Sequence, residues 1–182
     1  EYRRQRQMCI RDSFNGNLIF GHSNGDLTSL EQKLVNGQGK SVNSILHDGN
    51  QLIRIDDKNI TQLGTDYQQS LQVSVGNITA ISNGIIVNDS PTIWCGIQDI
   101  NKGLLKVISL TDGNELASMQ AAKISVITSN TDRVVMGDEQ GEVYVWEQAM
   151  LNRRFNSASV DDDDERRQQM RERLNALRKR EL

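Results

Sequence analysis

The chain has 182 residues, of which 36% are hydrophobic and 4% aromatic, and its formal net charge is −3. That length suits one ordinary domain with a tail. Residues 14–150 contain 8 Lys and Arg against 15 Asp and Glu, a net charge of −7. Because nonspecific binding to nucleic acid or anionic lipid depends on basic side chains, this acidic body argues against both kinds of partner.

The sequence also shows no signal for membrane insertion or secretion. No apolar run approaches the roughly 18 residues that a membrane-spanning helix needs, and the N-terminal residues lack the apolar core of a signal peptide. Two distant cysteines do not suggest a disulfide framework or a zinc site. We therefore predict an intracellular, cytoplasmic protein without membrane insertion.

The first 13 residues (EYRRQRQMCIRDS) differ from everything after them. They are rich in Arg and lack the alternation of a strand. The segment resembles translated sequencing-adapter read-through, so we interpret residues 1–13 as a non-native leader, with a disordered basic arm as the alternative. On the leader interpretation, the natural chain extends further and this sequence is the C-terminal part of a larger scaffold protein.

An internal repeat begins where this segment ends. Residues 17–31 (NLIFGHSNGDLTSLE) align without a gap on residues 133–147 (RVVMGDEQGEVYVWE) at an offset of 116. Similar residues coincide along both segments: Gly21 with Gly137, Gly25 with Gly141, Asp26 with Glu142, and Leu30 with Trp146. Two further copies lie between them, at residues 51–63 and 92–110. The pattern predicts strands joined by glycine-containing turns.

A second element precedes three of these hairpins. Residues 41–46 (SVNSIL), 77–82 (NITAIS) and 123–128 (KISVIT) are short, β-branched and alternating. Each unit is thus an inner strand, a hairpin and a polar connection, with a period of about 40 residues. A single sheet of this kind can bury only one of its two faces, so neighbouring sheets must stack to bury the other face. We expect Trp146 to pack between two stacked units.

The pattern over residues 14–150 resembles WD-repeat β-propellers, in which a strand commonly ends in Trp-Asp. Here the last copy ends in Trp146-Glu147, whereas the other copies end in Leu30-Glu31, Leu63-Gly64 and Leu110-Thr111. The Gly-His dipeptide expected early in each repeat is also missing. The resemblance implies an all-β propeller of about four recognisable blades, as a small or partial ring. A C-terminal α-helix follows it, predicted from the residues of the tail.

The resemblance to WD-repeat proteins implies a noncatalytic scaffold that binds other proteins, without catalytic residues, cofactor or metal. His22 and His47 have no metal-ligand spacing, and neither a phosphate-binding loop nor a nucleophile elbow occurs. Residues 103–116 (GLLKVISLTDGNEL) are similar to quinoprotein-type propeller repeats. A propeller domain that binds a cofactor or small molecule is therefore the alternative.

The candidate protein-binding residues lie in turns between outer strands, where a propeller exposes its loops. They are Asp138, Glu139 and Gln140 in the last copy, and the equivalent His22, Ser23 and Asn24 in the first.

The tail follows the repeats. We interpret residues 151–160 as a linker and residues 161–182 (DDDDERRQQMRERLNALRKREL) as a charged helix, acidic at its start and basic at its end. Met170, Leu174 and Leu177 form a narrow apolar stripe, which we interpret as the start of a coiled coil for self-association. A solvated helix and a helix docked on the propeller are the alternatives.

Overall fold

A computed structural model describes residues 8–49, 51–99 and 102–158. Most of these residues form strands, and one helix follows the last strand. The strands in chain order are β1 (Met8–Phe14), β2 (Asn17–His22), β3 (Leu27–Thr28), β4 (Lys33–Val35), β5 (Ser44–Asp48), β6 (Gln51–Ile55), β7 (Asn59–Leu63), β8 (Gln69–Ser74), β9 (Asn77–Asn83), β10 (Thr92–Asp99), β11 (Lys102–Ser109), β12 (Glu115–Ala121), β13 (Ile124–Ser129), β14 (Arg133–Asp138) and β15 (Val143–Glu147). The helix α1 covers Gln148–Ala158.

The strands form four antiparallel sheets in chain order, which we call blades I to IV. Blades I, II and III contain β1–β4, β5–β8 and β9–β12, and blade IV contains β13–β15. The first strands of successive blades lie side by side, β1 against β5, β5 against β9, and β9 against β13. The predicted all-β fold with four blades and a C-terminal helix is confirmed.

Three clusters of buried apolar side chains join neighbouring blades. Ile19 and Leu52 lie in the cluster between blades I and II, and Ile53 lies in the cluster between blades II and III. Because successive side chains of a strand point to opposite faces of the sheet, β6 and β10 each contribute side chains to two clusters. In β10, for example, Cys95 faces blade II, whereas Trp94 faces blade IV.

Blade IV has one covered face and one open face. Val134 and Met136 are fully buried against blade III. On the other face, Val126, Val143 and Val145 are 53%, 68% and 55% exposed. Within the described ranges, no cluster of buried residues joins blade IV to blade I. The four blades are therefore not closed into a ring by the described residues.

Two predicted boundaries differ from the structure. Strand β1 begins at Met8, inside the segment interpreted as a leader, and its backbone pairs with β2, Ser13 opposite Leu18. Residues 151–158 are helical, although we expected a linker over residues 151–160. The physical reason is that residues 148–154 contain no Gly or Pro and include good helix formers, and that Leu151 packs against the blade III–IV cluster.

The predicted helix of residues 161–182 lies outside the described residues. In the described part of the chain, no helix is long and apolar enough to cross a membrane.

Cys95 should be inert towards thiol reagents in the folded protein. Its side chain is fully buried, and this burial raises the pKa of the thiol to about 12. Because the thiolate is the reactive form, a Cys9→Ser variant should react with a disulfide reagent at pH 8 only after denaturant is added. Rapid reaction of the folded variant would show that Cys95 is accessible and that the blade II–III cluster is open.

Candidate functional site

One end of the blade array is built from turns that follow the second strand of a blade and from connections between blades. We call this surface the connector face. It comprises residues 22–26, 37–43, 56–58, 75–78, 122–123 and 139–142. Backbone hydrogen bonds hold each turn to a connection: Gly39 N donates to Asn24 O at 3.0 Å, Val75 N to Lys58 O at 2.8 Å, and Glu139 N to Lys123 O at 2.9 Å.

The turn of blade I is held by the carboxylate of Asp26. This carboxylate accepts hydrogen bonds from Lys33 Nζ at 2.9 Å, Gly37 N at 2.6 Å and Asn24 Nδ2 at 2.9 Å. The hydrogen bond from Lys33, followed by that from Gly37, lowers the pKa of Asp26 to about 2. A Cβ at Gly37 would lie 2.1 Å from the carbonyl oxygen of Asn24, so this close approach requires glycine.

The predicted residues of blade I lie on this turn. Ser23 and Asn24 are exposed, whereas His22, the last residue of β2, is half-buried. His22 Nε2 lies 2.8 Å from Thr28 Oγ1, and Val42 N donates to the carbonyl of His22 at 3.0 Å. Ser23 and Asn24 are therefore available for contact, while His22 is held within its own blade.

In the equivalent turn of blade IV, two of the three predicted residues are exposed and one is buried. Glu139 and Gln140 are exposed, and Glu139 forms an ion pair with Lys123 across the connection. Asp138 is buried, with Oδ1 accepting hydrogen bonds from Gln140 N and Glu142 N, both at 3.0 Å. Its predicted exposure is wrong, because these turn N–H groups need an acceptor and the carboxylate supplies it.

The two turns are aligned in sequence at an offset of 116 and occupy equivalent places in blades I and IV. The structure therefore brings all six predicted residues to one face but to different blades. Four of them are exposed: Ser23, Asn24, Glu139 and Gln140.

A second feature, absent from the predicted site, is an apolar cavity between blades III and IV. We call it the tryptophan cavity. Trp94 of β10 and Trp146 of β15 meet edge to face there, with ring centroids 4.9 Å apart. The cavity has a volume of about 230 Å³. Its lining also includes Leu105, Val107, Leu116, Ala117, Ser118, Met119, Leu151, Val87 and Asn88.

The predicted packing of Trp146 between blades is confirmed by its contact with Trp94. The cavity itself was missed. The chain contains only these two tryptophans, and their placement in the last two copies of the repeat was the one available signal. Their meeting depends on how far apart two blades lie, which the sequence does not show.

A metal centre is not evident in the described residues, since no group of three or more His, Cys, Asp or Glu side chains there could hold an ion.

No protein-family model matches the chain, and no curated protein sequence matches it. Solved structures do match. The computationally designed Ika4 protein is 18% identical with a TM-score of 0.59, and the match covers 77% of this chain and 90% of Ika4. The WD40 domain of Neurospora crassa Pan2 is 13% identical with a TM-score of 0.54, covering 77% of this chain and 49% of that one.

BBS1N, solved in complex with ARL6DN, is 6% identical with a TM-score of 0.58, and the match covers 71% of this chain and 45% of that chain. The chain therefore spans about half the length of the Pan2 and BBS1N chains. It has a propeller-like fold. Because the identities are low, these similarities establish the propeller architecture alone.

The connector face of this propeller should respond to acid through Asp26. The pKa of Asp26 in the folded chain is about 2, below the ordinary aspartate value of 3.8, so Asp26 stabilises the fold above pH 3.8 and loses this effect as the pH falls towards 2. The melting temperature of Asp26→Asn should therefore lie below that of the wild type at pH 6, and the difference should shrink by pH 2.

Lys33→Gln should show the same trend, since Lys33 is the largest cause of the shift. Lys40→Gln removes an exposed positive charge from the same connection and serves as the control. A difference between wild type and Asp26→Asn that stays constant from pH 6 to pH 2 would contradict this role of Asp26.

Proposed function

We propose that the chain is a noncatalytic scaffold that binds other proteins through its connector face, with Ser23, Asn24, Glu139 and Gln140 as contact residues. The observation that carries this proposal is that these four side chains are exposed, while hydrogen bonds from the connections hold the backbone of each turn at Asn24 and Glu139. A rigid turn loses little conformational entropy when a partner binds, which favours recognition.

The negative charge of the propeller indicates which kind of partner would bind. Residues 14–150 carry a net charge of −7, and Glu139 and Glu142 are exposed in the blade IV turn. A basic protein segment suits this surface, whereas nucleic acid and anionic membranes do not. A similar propeller, BBS1N, was solved with a protein partner, ARL6DN. We place this function in the cytoplasm, without a cofactor.

The contact residues can be tested by photo-crosslinking. With benzoylphenylalanine in place of Gln140, we expect defined crosslinked proteins from cell extract, identified by mass spectrometry. When Glu139→Lys and Glu142→Lys are added to this variant, the crosslinked proteins should disappear. The melting temperature should change little, since both side chains are on the surface.

The matched control is Glu31, which is exposed in the turn between β3 and β4, at the other end of the blade. Neither benzoylphenylalanine at position 31 nor Glu31→Lys should reproduce these effects. Equal crosslinking from positions 140 and 31, or no effect of the Lys substitutions, would count against the connector face.

We further propose that residues 161–182 mediate self-association through Met170, Leu174 and Leu177. An aspartate at a buried seam position would place a charge in an apolar contact. Leu174→Asp should therefore reduce the mass measured by size-exclusion chromatography with light scattering to that of the monomer. Asn175→Asp introduces the same charge outside the stripe and should leave the mass unchanged. A monomeric wild type would refute this proposal.

A further inference from the structure

Among the described residues, blade IV has one strand fewer than the other blades. Blades I, II and III each have four strands, whereas in this part of the chain β15 pairs with β14 alone and forms the edge of blade IV. In blade III, the turn that leads into the fourth strand lies against the fourth strand of blade II, since a Cβ at Gly113 would lie 2.8 Å from Val73 and 3.2 Å from Leu71. By analogy with this packing, a fourth strand of blade IV would lie beside β15 and over β11 and β12.

The tryptophan cavity occupies this place. Its walls come from β10, β11 and β12 on one side and from Trp146 of β15 and Leu151 of α1 on the other. We propose that an extended segment of a partner protein adds to β15 as the fourth strand of blade IV and inserts one large apolar side chain into the tryptophan cavity. This inference rests on the proposed protein-binding function and gives it a second site.

The chemistry of the cavity favours an apolar side chain. Trp94 Nε1 already donates to Thr92 Oγ1 at 3.0 Å, and Thr92 Oγ1 donates to the carbonyl of Ile85 at 2.7 Å. The indole N–H of Trp94 therefore needs no hydrogen-bond partner from a ligand. A volume of about 230 Å³ exceeds the roughly 150 Å³ of an engineered apolar cavity that binds benzene. A leucine or phenylalanine side chain therefore fits.

Charge beside the cavity favours a basic residue next to the apolar one. Asn88 also lines a second depression, which contains Asp89, Asp132, Gln148 and Asn152. Neither Asp89 nor Asp132 is in an ion pair with another described residue. Backbone hydrogen bonds of 3.0 Å in both directions between Val87 and Ser90 hold Asn88 and Asp89 in a tight turn at this border.

An edge strand beside an apolar pocket is the arrangement that binds peptides by strand addition, in which the main chain supplies affinity and the pocket supplies specificity. A second copy of this chain is a weaker occupant, because residues 14–150 of that copy carry a net charge of −7 and would meet the acidic border formed by Asp89 and Asp132. Residues 161–182 are predicted to be helical rather than extended. A partner segment with a large apolar residue followed by Lys or Arg is therefore the occupant to which we commit.

The native tryptophans make a direct test, because both line the cavity. The probes are fluorescein-labelled peptides Thr-Val-Thr-X-Thr-Val-Lys-Lys, in which X is Leu, Phe or Ala. Binding of the labelled peptides is measured by fluorescence anisotropy. Occupancy of the tryptophan cavity is measured by the change in the protein's own tryptophan emission when unlabelled peptides are added. Burial of the larger side chain should make the Leu and Phe peptides bind about tenfold or more tightly than the Ala peptide.

Two variants locate the binding. Ala117 is exposed on β12 and lines the cavity, so Ala117→Phe should fill it and abolish binding of the Leu peptide. Gln120→Phe, an exposed position on the same strand that does not line the cavity, is the matched control. Circular dichroism checks that both fold. Equal affinity for the three peptides, or unchanged binding to Ala117→Phe, would overturn the inference.

The acidic border is tested separately. The double variant Asp89→Asn and Asp132→Asn should bind the Lys-Lys peptide several-fold more weakly at low salt and keep the preference for Leu over Ala. Asparagine tolerates the positive φ of 58° at position 89. If the double variant binds the Lys-Lys peptide as the wild type does, the basic part of the proposed partner is wrong.

The same titrations distinguish the other occupants. If the Leu peptide binds only to Leu174→Asp, the chain's own tail occupies the cavity, and the partner proposal fails. If emission changes with protein concentration alone, a second copy occupies it, with the same consequence. Failure of the peptides while position 140 still crosslinks would remove this inference and leave the proposed function intact. Failure of both would remove the protein-binding function.

Discussion

The fold depends on the burial of two faces of each inner sheet. Alternation along β10 sends Cys95 towards blade II and Trp94 towards blade IV, so the inner part of blade III is apolar on both faces. Such a sheet is stable only between two neighbours. The order of the blades therefore follows from the side-chain pattern of the inner strands, and each blade contributes to the stability of the next.

The same constraint explains why the unusual surfaces gather at blade IV. Among the described residues it packs against blade III alone, and valines remain exposed on its other face. The described part of blade IV also has no fourth strand to cover β11 and β12 at the blade III boundary. Exposed apolar area and a free strand edge are features that proteins generally cover or use for binding. Blade IV has both, together with the tryptophan cavity, which makes it the part of the propeller best suited to an additional contact.

Local features of the sequence predicted the strands and turns of the blades well. Contacts between different blades could not be predicted from the sequence. The glycine turns and alternating strands at an offset of 116 place β2–β3 and β14–β15 correctly, because both signals depend on neighbouring residues. The strand β4, Lys33–Val35, has three residues and too little alternation to be recognised. The helix start at Gln148 was missed because Leu151 packs against another blade. The tryptophan cavity depends on the spacing between blades, for which one sequence carries no signal.

The acidic turn residues show how exposure must be judged for a candidate site. Asp138 and Glu139 are adjacent in the same turn, and sequence treats them alike. The short side chain of Asp138 reaches the N–H groups of Gln140 and Glu142 and is buried, while the longer Glu139 extends to Lys123 and stays exposed. Asp26 and Asp56 hold their turns in the same way. An aspartate that accepts backbone hydrogen bonds in a propeller turn therefore positions the surface, and its neighbours are the residues that a partner can reach.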